Sequence, residues 1–389
     1  MHMPDGSEPL TIRVAATVDE VDAADWDACA GTLNPFVSHD FLSALEDSGS
    51  VKAKTGWQPQ HLVLQDGAQR ILAVSPLYLK SHSYGEYVFD HAWADAYERA
   101  GGRYYPKLLS AVPFTPVQGP RLLVRPGEDT DAAGRALAAG MVELVRRHDV
   151  SSAHVNFVDP DQATLLQSMG FMIRHGHQFH WHNRGYEDFE DFLEDLASRK
   201  RKSIRKERRR IAEAGITVEA LSGDAIRPAH WDAFYRFYID TYDRKWGFPY
   251  LTREFFDILA ARLADRVVLV MASIDGHFIA GALNLRGDEA LFGRNWGSDV
   301  AYKFLHFEAC YYQAIDFAIA HGLARVEAGT QGEHKIQRGY LPVRTQSAYW
   351  FADAGMSRAI DQFLDRERQY EAVALEALAQ NSPFRQTED

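Results

Sequence analysis

Apolar positions along this chain follow two rhythms. Val267 to Ala272 is the longest uninterrupted apolar run, the length of a buried strand, and it predicts a strand at Val267–Ile274. The pair Asp275-Gly276 follows and suits a tight hairpin. Two more strand-like segments come next, at 278–285 and 290–296. The period then lengthens, and Glu308, Tyr311, Tyr312, Ile315 and Ile319 share one face at helical spacing. This predicts a helix over 302–321, followed by a strand at 325–328. The first half repeats the order. A strand at 62–65, a turn at Asp66-Gly67, a strand at 71–79, a helix at 131–148 and a strand at 153–157 are predicted. The extra length of this half is an aromatic- and proline-rich insertion, 87–123.

Antiparallel strands, a helix and a further strand make an α/β unit: a mixed, mostly antiparallel sheet flanked by helices. Two copies in 389 residues predict two tandem domains, 10–183 and 216–355. A basic helical junction, 184–215, separates them, and an amphipathic helix at 186–196 opens that junction. A helix at 356–380 is expected to pack loosely on the body, and the polar tail 381–389 to be disordered.

Composition narrows the class. With 46% hydrophobic and 25% charged residues, the chain is globular in character. Its two cysteines, Cys29 and Cys310, cannot supply a disulfide framework or a Cys-rich zinc site. No segment reaches the ~18–20 apolar residues of a membrane span, and residues 1–10 lack the features of a secretory signal. A cytoplasmic protein is expected. The net charge of −12 disfavours anionic partners. Residues 199–210 reverse that argument locally, with nine basic residues and one acid. A charge run is ordinarily a solvated helix face. Like charge at this density is costly without an anionic partner, so the run predicts a polyanion here, either RNA or a phosphate-rich small molecule.

The stretch Glu327-Ala-Gly-Thr-Gln-Gly-Glu-His-Lys-Ile-Gln-Arg-Gly-Tyr340 starts at a predicted strand end. It carries three glycines among acidic, basic and imidazole groups, which fits either a catalytic loop or a polar surface loop. Glu308 sits on the apolar face of its helix, where a carboxylate either lines a pocket or pairs with an arginine such as Arg294. His306 lies beside it. His175, His177, His180 and His182 alternate sides of one strand, so four metal ligands cannot converge there, and no metal is expected. The insertion holds Asp90, His91 and Trp93, with Tyr104-Tyr105-Pro106 further on. Aromatics with prolines form either a binding wall or an ordinary packed lobe. The P-loop, dinucleotide, nucleophile-elbow and HExxH motifs are all absent.

Several segments together carry a resemblance. They are Ser38-His-Asp-Phe-Leu42, Tyr87-Val-Phe-Asp-His-Ala-Trp-Ala-Asp95, Val112-Pro-Phe-Thr-Pro116, Lys200-Arg-Lys-Ser-Ile-Arg205, Leu305-His-Phe-Glu308 and Glu327-Ala-Gly-Thr-Gln-Gly-Glu-His-Lys335. Over about residues 35–350 the chain resembles the FemAB-like N-acyltransferases, a bacterial, peptidoglycan-related branch of the GNAT superfamily with two tandem acetyltransferase-type domains. The related Fem aminoacyltransferases transfer amino acids from aminoacyl-tRNA to peptidoglycan precursors, and a lysine followed four residues later by glycine lies near their reaction centre. Lys335 and Gly339 fit that spacing. The basic segment here is short and lies between the halves, unlike the arm of some relatives. Single-domain acetyltransferases hold the acetyl-CoA pyrophosphate with Q/R-x-x-G-x-G/A. Here Arg294 and Gly297 match, but Asp299 replaces the second glycine, and an acid there repels pyrophosphate.

The resemblance implies acyl transfer to a small-molecule or peptide amine, with acyl-CoA or aminoacyl-tRNA as donor and no tightly bound cofactor. Lys335 is assigned to the oxyanion or an acceptor phosphate, Glu308 or Glu333 to the base, and His334 to proton transfer or orientation. Arg294, His306, Gln331, Arg338 and Tyr340 complete the candidate substrate contacts of the second half. Asp90, His91 and Trp93 do so in the insertion, and Lys200, Arg201 and Arg205 in the basic segment. Two other readings stay open: a non-catalytic ligand- or RNA-binding protein on the same fold, and a conventional acetyl-CoA-dependent acetyltransferase.

Overall fold

The computed structural model describes residues 10–244, 247–329 and 332–385. The chain forms two compact units. One comprises the chain up to His175 together with Thr345–Gln369; the other comprises Gly176–Arg344 together with the chain from Tyr370.

The first unit holds β1 (Thr11–Ala15), β2 (Trp57–Pro59), β3 (His61–Gln65), β4 (Ile71–Ser75), β5 (Tyr78–Lys80), β6 (Lys107–Ser110), β7 (Leu123–Val124) and β8 (Ser152–Val155). Strands β1, β3, β4 and β7 make one antiparallel sheet in that order. Strands β2, β5, β6 and β8 neighbour one another in that order in a second sheet, where only β6 and β8 are parallel. The expected strand 71–79 is therefore two strands in two sheets. Pro76, which lacks a backbone N–H, stands at the break. The insertion is part of the framework, because it supplies β6 and the helix His91–Arg99. The helix Thr130–His148 buries Leu137, Met141 and Val145 with Leu62, Ala73 and Leu108. It starts at Thr130 because the Asp129 carboxylate accepts bonds from the Asp131 and Ala132 amides.

Strand β9 (Met172–His182) leads into the second unit, which adds β10 (Thr217–Ser222), β11 (Val267–Ile274), β12 (His277–Arg286), β13 (Ala290–Ser298) and β14 (Arg325–Glu327). Its strand order is β10-β11-β12-β13-β14-β9, antiparallel except for β13 with β14. The sequence places 341–355 wholly in the second half. Instead β15 (Leu341–Phe351) runs back into the first unit, where Ala348–Phe351 pair with β8.

The C-terminal helix, Ala354–Ala379, is anchored more firmly than its composition suggests. Met356, Ile360 and Leu364 are buried with Trp93, Tyr104 and Phe351. The following tail is docked as far as Arg385: the Ala197 amide donates to the Pro383 carbonyl (2.9 Å) and the Arg385 amide to that of Asp195 (3.0 Å). Among the described residues no helix is long and apolar enough to cross a membrane.

Candidate functional site

Strands β13 and β14 pair only through Ala290–Phe292 and Arg325–Glu327, after which β13 runs on to Ser298 without that neighbour. Past that pairing the chain after β14 stays bonded to β9, the Ala328 amide donating to the Phe179 carbonyl (3.1 Å) and the Phe179 amide to the Gly329 carbonyl (3.2 Å), and the loop bearing Lys335 begins there. The expected helix 302–321 follows β13 but is not uniform. Leu305–Phe307 is α-helical, Glu308–Tyr312 is a π-turn, and Gln313–Ala320 is α-helical again. Phe304, just before it, adopts a left-handed φ of 74°. Such irregularities recur at functional sites because they redirect side chains.

Lys335 lies on a short 3-10 helix, Glu333–Arg338, and is 4% exposed. Its Nζ donates to the carbonyls of Ala328 (2.5 Å) and Gly329 (3.1 Å), at the end of β14. An ammonium has three donors, so one remains. Burial pushes the Lys335 amine down to about 8. His334 is exposed, and its Nε2 shares a 3.1 Å hydrogen bond with the Tyr311 hydroxyl. Burial, then Arg338 and Lys335, lowers its pKa, so the ring is neutral at pH 7. His306 lies 6.2 Å from the His334 ring, 5.2 Å from Tyr311 and 5.4 Å from Trp296 of β13. These rings bridge the two parted strands. Arg294 is half-buried on β13, at the register shift opposite Leu283 and Asn284.

Arg338 and Tyr340 are internal supports. Arg338 Nη2 donates to both oxygens of Glu207 (3.0 Å each), Nε to the Tyr312 hydroxyl (3.0 Å) and Nη1 to the His334 carbonyl (2.7 Å). Its guanidinium stacks 3.4 Å from the Phe307 ring centre. Glu207 is the one acid of the basic run, and it also accepts from the Tyr312 hydroxyl. Tyr340 is fully buried and donates to the Tyr311 carbonyl (3.1 Å). Gly339 has φ 89°, and a side chain there would meet Phe192 at 2.9 Å. Glycine thus closes the short helix where little else fits.

Glu308 does pair with an arginine, but that arginine is Arg208. Its Oε1 accepts from Arg208 Nη2 (3.1 Å) and Gln313 Nε2 (2.9 Å). Arg208 also reaches Asp316 (2.7 Å). Glu333 is exposed. Gln331 lies outside the described residues.

The stretch corresponding to a pyrophosphate loop is engaged internally. A Cβ on Gly297 would come within 2.4 Å of the Phe237 carbonyl oxygen, so this glycine admits the helix Pro228–Arg244 against β13. Asp299 is paired with Arg236 (3.0 Å). Its amide donates to the Ile279 carbonyl (3.0 Å), and the Val300 amide to Ser298 Oγ (3.2 Å). Little donor capacity is left there for a diphosphate.

The basic run forms the helix Ser198–Glu213, with Ile204, Glu207 and Ile211 buried. Arg199, Lys202, Arg205, Lys206, Arg209 and Arg210 are exposed. Lys200 donates to Gln337, next to the candidate loop. Arg205 pairs with Glu190 (2.5 Å), and Arg201 is half-buried. In the first unit, Asp90 and Trp93 belong to the interior while His91 is exposed. Lys107 is fully buried and donates to Asp90 (2.5 Å) and Glu86 (2.8 Å). Burial alone would lower its pKa, but the two carboxylates hold it raised. Glu86, Asp90 and His154 are the trio of close metal-capable groups among the described residues, and Lys107 supplies their cation. His177 pairs with Glu371 (2.6 Å), and burial pushes His180 down to about 3.

Sequence reasoning missed Glu207, Arg208, Tyr311 and Tyr312. The spacing of Ile204, Glu207 and Ile211 would have marked Glu207 as inward-facing.

No curated protein matches the sequence. FemX covers 91% of this chain and 100% of its own at 11% identity, with a TM-score of 0.56. L-PGS from Bacillus licheniformis covers 91% and 98% at 10% identity, TM-score 0.50. A conserved protein of unknown function from Bacteroides thetaiotaomicron covers 88% and 100% at 12% identity, TM-score 0.51. These likenesses concern the fold, and the expected class, mixed and mostly antiparallel sheets flanked by helices, is the one observed in the two units. A family model described as peptidoglycan biosynthesis/recognition matches residues 17–386. The chain therefore belongs to the FemAB-like family.

Proposed function

We propose that this protein is an N-acyltransferase that moves an acyl or aminoacyl group from an activated donor to an amine, with its chemistry at the end of β14. The observation that carries this reading is Lys335. Its buried ammonium is held by two carbonyls with one N–H left, beside a neutral, exposed imidazole. When His334 Nε2–H is donated to the Tyr311 oxygen, Nδ1 keeps its lone pair and takes the proton of the acceptor amine. The amine attacks the donor carbonyl, and the remaining Lys335 N–H meets the oxyanion. The tetrahedral species collapses, and the proton returns to the leaving oxygen or sulfur. His334 fits the base role better than Glu308, whose Oε1 is held by Arg208 and Gln313.

For the donor we favour aminoacyl-tRNA over acyl-CoA. The Gly297–Val300 amides and side chains are engaged internally, and the exposed cations of the basic helix suit a polyanion. The acceptor is read as the amine of a peptidoglycan precursor, following the family. Lys335→Ala should lose turnover with aminoacyl-tRNA while circular dichroism stays unchanged. Full activity in that variant overturns the assignment, and turnover with acyl-CoA alone overturns the donor.

A further inference from the structure

The basic helix Ser198–Glu213 faces two ways. Its outer side carries Lys202, Lys206 and Arg210, all exposed. Its inner side grips the two segments that form the candidate site. Lys200 donates to Gln337, and Glu207 accepts from Arg338 through both oxygens and from the Tyr312 hydroxyl. Arg208 donates to Glu308 (3.1 Å). Gln337 and Arg338 belong to the 3-10 helix of His334 and Lys335, while Glu308 and Tyr312 bound the π-turn of Tyr311. Arg338 in turn holds the His334 carbonyl (2.7 Å) and stacks on Phe307, whose ring centre lies 5.4 Å from that of His334. Two steps therefore lead from the one acid of the basic run to the imidazole.

The helix is poorly supported by its own sequence. Ala197 gives it no side-chain cap, and its first turn holds Arg199 and Lys200 in place of an acid, so cations sit at the positive end of the helix dipole. Lys202, Lys206 and Arg210 follow one another at four-residue spacing, where like charges repel. A polyanion along the outer side offsets both effects and favours the helical, docked form. A ligand that favours one form shifts everything that form holds in place. When the helix frays, Arg338 loses the carboxylate that fixes it. We propose that Glu207 is a positioning residue, and that through it a polyanion on the outer side of the basic helix sets the geometry of the loop carrying His334 and Lys335. What that loop does rests on the acyl-transfer reading; its coupling to the helix does not.

Hydrogen–deuterium exchange of the full chain, with and without a short inorganic polyphosphate, tests the coupling. At saturation, amides of 333–338 and of the π-turn 308–312 should exchange about fivefold or more slowly. Tyr311 and Tyr312 are buried, so slowing at the π-turn reports transmission through the helix and not direct cover. Glu207→Gln keeps every outer cation. It should bind the polyphosphate equally well by calorimetry and lose the slowing at both segments, whereas a merely structural Glu207 would leave the slowing intact. If that variant does not fold, the pair Glu207→Gln with Arg338→Met removes both buried charges, a change that folds tolerate better than the loss of one, and should lose the slowing likewise. Slowing in a chain that transfers no acyl group overturns the proposed activity and supports the coupling. Absence of polyphosphate binding overturns the proposal, as does slowing confined to 198–213 or slowing that persists in the Glu207 variants.

Discussion

At the scale of single residues, the candidate site depends on protons held away from their ordinary equilibria. With its amine pushed down to about 8, Lys335 loses its charge as pH rises through that value. If its cation meets the oxyanion, kcat/KM should fall along that limb, and Lys335→Arg, which stays charged, should move the limb to higher pH. Stability has the opposite sign. The unfolded lysine binds its proton up to 10.5, so between about 8 and 10.5 the unfolded chain holds more protons and the fold gains stability as pH rises. A pH series of melting temperatures on the native chain and Lys335→Ala checks this. Glu207 carries a second prediction. Removing it leaves Arg338 buried without its carboxylate, which costs about 3–5 kcal/mol, and denaturant unfolding of Glu207→Ala should show it. The loop bearing Lys335 stands out in the sequence by its glycines and charge, and Lys335 itself only by the spacing to Gly339 that the family resemblance implies. The partnership of Glu207 with Arg338 was not legible there, because it joins residues 131 positions apart and a charge run hides the one acid that faces inward.

At the scale of elements, period and turn chemistry located the strands β11 to β13 within two residues at each end. They failed where a local rule was overridden. The strand 71–79 reads as continuous by hydrophobicity, yet Pro76 divides it between two sheets. The helix 302–321 has good helical spacing, and spacing does not reveal the π-turn or the left-handed Phe304. Gly297 invites a phosphate reading because close approach by a phosphate and by a helix backbone demand the same missing Cβ. The two roles predict different losses. Gly297→Ala should destabilise the fold by about 1–3 kcal/mol or more through overpacking against Phe237. A melting temperature that holds, with lost donor affinity, would contradict the packing role.

At the scale of the whole molecule, the acidic chain concentrates its exception on one solvent-facing helix surface. Lys202, Lys206 and Arg210 are exposed there. If this helix binds tRNA as proposed, reversing all three to glutamate should leave melting unchanged and weaken that binding. It should also flatten the dependence of log K on log salt, by about 0.9 for each phosphate no longer neutralised. Filter binding across a salt series measures both. The division into units was legible only in outline, because composition does not show that a strand leaves one unit for the other. That routing has a consequence for how the molecule comes into being. The first unit needs Ala348–Phe351 to pair with β8 and Met356, Ile360 and Leu364 to cover Trp93. A ribosome that has delivered every residue up to Arg344 still holds a first unit lacking that strand segment and that helix. Emergence of the remaining chain completes it, so its surfaces stay open longest during synthesis.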